Sequence, residues 1–105
     1  MLRIHHVMLE AISIIRPMVR VIERHDRDLG CQLRRAASSV ALNIAEGCGS
    51  FGGVRTSRYR TALGSARETV SCLQVAERFG YVEAMPEALL AAMNHVIGTL
   101  VRVTV

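Results

Sequence analysis

The sequence predicts an all-α protein, an antiparallel up-down four-helix bundle, and three observations carry that prediction. Apolar residues recur at steps of three and four in four separate segments. No segment shows a sustained period of two flanked by hairpin signals, and the connections are short. An amphipathic helix must bury its apolar stripe against another element, and consecutive helices joined by short loops are antiparallel neighbours. At 105 residues the chain suits one bundle domain spanning 1–105.

The first helix is expected over about 3–25, with Ile4, Val7, Ala11, Ile14, Ile15, Met18 and Ile22 on its apolar side. Pro17 lies inside it and removes one ladder bond at a cost of about 3 kcal/mol, so the helix should kink near its centre or begin later. In DRDLG, Asp26 or Asp28 can cap the second helix, about 28–46, with Leu33, Ala37, Val40 and Ile44 buried and Gly47 as its stop. The four glycines of GCGSFGG predict a loop. The third helix, about 56–79, starts near Ser50, Thr56 or Ser57 and ends at Gly80, with Tyr59, Leu63, Ala66, Val70, Leu73 and Ala76 facing the core. Its other side carries Arg60, Gly64, Arg67, Ser71, Gln74 and Arg78, a polar stripe bearing three cations. The fourth helix, about 86–103, has Pro86 in its first turn and Glu87 near the positive end of its dipole. Its apolar positions are Leu89, Leu90, Met93, Val96, Ile97 and Leu100.

Half of the residues are apolar and mean hydropathy is +0.28. That exceeds what a small bundle can hide, so the excess predicts contact with further copies of the chain. No apolar run reaches the roughly 18–20 residues that span a bilayer, and the apolar N-terminus has no small-residue cleavage site after it. The expectation is a cytoplasmic protein. Net charge is +4, unevenly placed: residues 1–30 carry +1, residues 31–67 carry +5, and residues 68–105 carry −2. A basic middle third attracts phosphate or an acidic protein surface. Every Lys or Arg position is arginine, which reflects either a GC-rich coding bias, the simpler reading, or selection for the planar fork that suits phosphate.

Several chemistries find no support. Cys31, Cys48 and Cys72 lack C-x-x-C spacing and read as buried thiols, with neither a disulfide framework nor a zinc site. His5, His6, His25 and His95 stand in no E-x-x-H arrangement, so no metal or cofactor is expected. A phosphate loop of the G-x-x-x-x-G-K type is impossible without lysine, and no spacing organises Ser, His and Asp into a nucleophilic site. The expectation is no enzyme and no catalytic residue. With no Trp, two Tyr and two Phe, base stacking has little material, so RNA binding would rest on phosphate and shape.

A polar cluster interrupts the second helix. Glu46 falls in the last turn, where the dipole disfavours a carboxylate by up to about 1 kcal/mol, so it needs a cation, with Arg58, Arg60 or Arg67 available on the third helix. Ser39, Asn43 and Glu46 share one side and can form a network facing another helix. That network either fixes how helices meet or contacts a ligand or RNA. Ala36, Ala37, Ser38, Ser39 and Ala41, with Gly64, Ser65 and Ala66, are small enough for close helix approach. The candidate phosphate contacts are Arg34, Arg35, Arg55, Arg58 and Arg60. The candidate organisers of the fold and of a subunit seam are Ser39, Asn43, Glu46, Gly47, Gly64 and Arg67.

QLRRAASSVALNIAEG (Gln32 to Gly47) and YRTALGSARETVSCLQVAERFGYV (Tyr59 to Val82) resemble the four-helix-bundle family of proteins encoded in 23S rRNA intervening sequences, to which accessory proteins of diversity-generating retroelements are distantly similar. The first match runs through Arg34, Arg35, Ala36, Ala37 and Asn43 to Gly47 without a gap. The second holds Ala62 to Ala66 with Gly80 and Tyr81. The resemblance implies a ring-like homo-oligomer, a pentamer, without known catalysis and with a role on RNA or nucleoprotein. The alternative is an interaction scaffold or accessory subunit docking on a nucleic-acid enzyme such as a reverse transcriptase. Ala41 where the family often has proline, and Pro17 in the first helix, depart from the pattern.

Overall fold

The computed structural model describes residues 2–105, and each apolar stripe becomes a helix: α1 (Leu2–His25), α2 (Arg27–Cys48), α3 (Gly52–Arg78) and α4 (Glu87–Thr104). No strand occurs among the described residues. In α1, Ile4, Met8, Ala11, Ile15, Val19 and Ile22 are buried at steps of four and three. Leu89, Met93, Val96 and Leu100 repeat the pattern in α4. Together with Leu33, Val40 and Ile44 of α2 and Leu63 and Leu73 of α3 they form one apolar core. Each helix packs on its sequence neighbour, and α4 closes back on α1.

The first connection is one residue long. The Asp26 carboxylate accepts from the Leu29 N–H at 3.0 Å, so Asp26 and not Asp28 caps α2. At the same end of the bundle, the Phe79 N–H donates to Val75, the Gly80 N–H to Glu77 and the Tyr81 N–H to Ala76. Gly80 sits at φ +79°. This is a left-handed glycine closure that satisfies the last carbonyls of α3 while turning the chain towards α4.

α1 runs through Pro17 from Leu2 to His25, close to the expected 3–25; Pro17 and Ser13, whose carbonyl loses its ladder partner, are both exposed. Three other boundary expectations are corrected. Gly47 does not stop α2, which runs to Cys48 with Gly49 at its cap. A β-carbon at Gly47 would stand 2.2 Å from Tyr59 Cε1, so this glycine exists for a ring laid against the helix. α3 starts at Gly52, nearest to Ser50 among the three expected starts and earlier than the range from 56, which shrinks the glycine loop to residues 49–51. Pro86 precedes α4 as its cap residue and is outside the first turn.

Candidate nucleic-acid interface

The outer seam of α2 and α3 holds the polar cluster. The Ser39 and Ser65 hydroxyls lie 2.7 Å apart, and Asn43 Nδ2 donates to the Ser39 carbonyl (2.9 Å) and hydroxyl (3.1 Å). Behind them Thr69, fully buried, donates its hydroxyl to the Ser65 carbonyl at 2.8 Å. Two side chains as short as serine meet only where helix backbones run close. Of the small residues expected to allow this, Ala36, Ala37 and Ala41 on α2 and Ala66 on α3 are buried, and Ala62 of α3 is buried beside them. Gly64 is different: it is exposed, and nothing lies within 4 Å of where its β-carbon would be. Among the described residues no buried side-chain nitrogen or oxygen lacks a partner.

Glu46 stands apart from that network and pairs with Arg58, Nε to Oε2 3.0 Å. The order of these contacts, Glu46 with Arg58, Ser39 with Ser65 and Gln32 with Glu68, shows α2 and α3 antiparallel. The pair is about half exposed on both sides. Such a pair contributes about 0–1 kcal/mol, so Glu46→Gln should shift a thermal melt only slightly; a drop of tens of degrees would mean that the carboxylate has a further partner.

The five candidate arginines do not share one face. Arg34 sits at the α1–α2 groove, where Arg16 and Arg20 join it around a floor of Ile12, Ile15, Val19 and Ala37. Arg35 lines a shallow depression with Asp28, Cys31, Gln32 and Glu68. Arg55 folds back over the end of α2 while staying exposed: its Nε donates to the carbonyls of Gly47 (3.2 Å) and Ser50 (2.9 Å), and the guanidinium lies 5.7 Å over the Phe51 ring. A cation there caps the negative end of α2. Arg58 is held by Glu46, while Arg60 stands free on the outer stripe of α3 with Arg67 and Arg78. All six members of that stripe, Arg60, Gly64, Arg67, Ser71, Gln74 and Arg78, are exposed.

The sequence reading missed two features. One is the trio Arg16, Arg20 and Arg34 around an apolar groove; Arg16 and Arg20 at a four-residue step was the available signal, but Arg34 joins them only through helix pairing. The other is a stack of aromatic rings. Tyr81 lies 4.8 Å from His25 with planes 5° apart and 5.5 Å from Phe79 with planes 14° apart. His25 and Tyr81 are far apart in the chain, so only their count was visible.

The thiols give no sign of a reactive centre. Cys72 is buried, and burial, followed by the Glu68 charge, pushes its pKa up and keeps it protonated. Burial, then the hydrogen bond with Cys48, likewise raises the Tyr59 phenol. Cys31 and Cys48 are half-buried. No group of three or more His, Cys, Asp or Glu among the described residues could hold a metal ion, and no helix is long and apolar enough to cross a membrane.

Fold and surface together define a class: a small helical bundle with an apolar core, a polar inter-helix seam and arginines directed outward. Within that class the chain belongs to the 23S rRNA-intervening sequence protein family, whose family model matches residues 5–102. No curated protein and no solved structure matches it.

Proposed function

We propose that this protein is a non-enzymatic bundle that assembles with copies of itself in the cytoplasm, as a ring-like pentamer, and binds structured RNA through its exposed arginines. The observation that carries the reading is the disposition of charge. All thirteen arginines are exposed, and among the described residues only Arg58 meets a carboxylate in a salt bridge. Guanidinium groups left without a counter-charge on a chain of net charge +4 favour a polyanion. Arg34, Arg35 and Arg60 take the leading role, while Arg55 and Arg58, already engaged, contribute less. Leu42, Val54 and Leu90 leave apolar surface on three helices, which supports self-association. The seam residues Ser39, Asn43, Glu46 and Gly47 then set how α2 and α3 present that surface, while Gly64 and Arg67, also expected at the seam, lie on the exposed outer stripe of α3.

Titrating a structured RNA at several salt concentrations tests this. Log affinity should fall by roughly 0.9 per neutralised phosphate per decade of salt on a duplex. Absence of binding at low salt would overturn the RNA reading, and a monomeric mass in solution would overturn the assembly. A second reading, an accessory subunit docking on a nucleic-acid enzyme such as a reverse transcriptase, draws on the α1–α2 groove. Its volume of about 280 Å³, its apolar floor and a rim on which Arg16, Arg20 and Arg34 outnumber the single carboxylate of Glu23 suit an acidic amphipathic helix. Capture of such an enzyme together with salt-insensitive RNA behaviour would favour it.

A further inference from the structure

We propose that the C-terminal end of α3 holds an unpaired nucleotide, its base stacked on Phe79 and its flanking strand laid along the stripe from Arg78 back to Arg60. The inference rests on the RNA-binding reading and specifies which part of an RNA the protein selects. Three observations support it.

Phe79 is 68% exposed although it is one of only two phenylalanines. It is also held in place. The hydrogen bonds from Gly80 to Glu77 and from Tyr81 to Ala76 set the backbone, and the parallel Tyr81 ring, itself stacked on His25, sets the side chain. A flat ring ordered before binding and turned to water is a platform for another flat ring, because little rotamer freedom remains to be lost.

The space beside it has the chemistry of a base edge. A depression of about 500 Å³ is lined by Ser71, Gln74, Val75, Glu77, Arg78 and Phe79. Arg78 donates, Glu77 accepts, and Ser71 and Gln74 do both. A nucleobase edge presents donors and acceptors together, whereas a bare phosphate would be opposed by Glu77.

The path away from the depression suits a backbone. Arg67 and Arg60 lie 11 and 18 positions before Arg78, about 16 and 27 Å along the axis at 1.5 Å per residue. The stripe contains no acid. Between Arg60 and Arg67, Gly64 presents bare helix backbone with open space above it. A glycine inside a helix is unfavourable relative to alanine, and no neighbour within the chain requires this one. A ribose-phosphate strand resting on the helix would. A partner helix would instead seek an apolar stripe, and apart from Val75 and Phe79 this face has none.

An RNA hairpin with a short unpaired 3′ tail carrying 2-aminopurine, compared by fluorescence anisotropy with the same hairpin blunt-ended, tests the proposal. The tailed form should bind about tenfold or more tightly, in the range of base–aromatic stacking, and 2-aminopurine emission should be quenched. Phe79→Leu should abolish the gain and the quenching while the blunt hairpin binds as before and the melting temperature holds. If the blunt hairpin binds and the tail adds nothing, or Phe79→Leu keeps the gain, the inference falls and the RNA reading stands. Failure of both RNAs to bind overturns the two together. A Phe79→Leu protein that loses its oligomeric mass would identify the face as a subunit contact and overturn the inference.

Discussion

Gly47→Ala should destabilise the protein by about 2 kcal/mol, against the usual benefit of alanine in a helix. The substitution gains about 1 kcal/mol of helix propensity, but the new methyl would meet Tyr59 Cε1 at 2.2 Å and Cδ1 at 2.6 Å. Tyr59 is buried, so its ring has nowhere to retreat without disturbing the α2–α3 contact. Overpacking of this kind costs about 1–3 kcal/mol and here falls at the upper end. At about 4–8 °C per kcal/mol for a domain near this size, the melting temperature should drop by roughly 10 °C. Tyr59→Leu should absorb part of the loss, and a double-mutant cycle measures that coupling. Gly64→Ala, with open space above it, is the control of opposite sign and should stabilise by about 0.5–1 kcal/mol. A Gly47→Ala protein that melts at or above the parent temperature would show that Tyr59 does not lie on α2.

Leu33→Ala should cost between about 2 and 5 kcal/mol, the transfer energy of the lost carbons plus the cavity they leave. Leu33 is fully buried among residues from the other helices in the one apolar core. Set against a typical total of about 5–15 kcal/mol, that is enough to leave part of the population unfolded at 37 °C. Leu42→Ala, nine positions along the same helix but 63% exposed, should change the stability of the fold by no more than about 0.5 kcal/mol. Chemical denaturation followed by circular dichroism separates the two. Equal losses would mean that α2 is rotated from the orientation described.

Much of the architecture was legible because helical burial repeats every three to four residues. Ile4, Ala11, Ile15 and Ile22, or Leu89, Met93, Val96 and Leu100, announce a buried face without reference to any other segment. The need of Glu46 for a cation was legible too, since a carboxylate near a helix C-terminus is unfavourable whatever surrounds it. Its partner was not: Arg58, Arg60 and Arg67 were equivalent candidates until the crossing of α2 on α3 brought Arg58 to 3.0 Å. Gly47 was misread for a related reason. Glycine serves both as a helix terminator and as a site of close approach, and the ring that decides between them arrives from the next helix.

The candidate site divides in the same way. The stripe from Arg60 to Arg78 is a property of one helix and could be read from spacing, whereas the five arginines grouped by charge came apart, Arg34 towards α1, Arg55 onto the end of α2 and Arg60 outward. Counting aromatic residues could not show that Phe79 and Tyr81 meet face to face, because that pairing depends on the turn after α3.

By itself the sequence determined four helices, one apolar core and an outward placement of guanidinium groups, because these follow from the solvation of residues along a single periodic segment. Tertiary structure alone decided the Glu46–Arg58 pair, the Ser39–Ser65 contact, the seat of Tyr59 on Gly47 and the His25–Tyr81–Phe79 stack. Each of these depends on how one helix slides and rotates against another. That register is set by the packing of whole faces, and no local pattern in the chain encodes it.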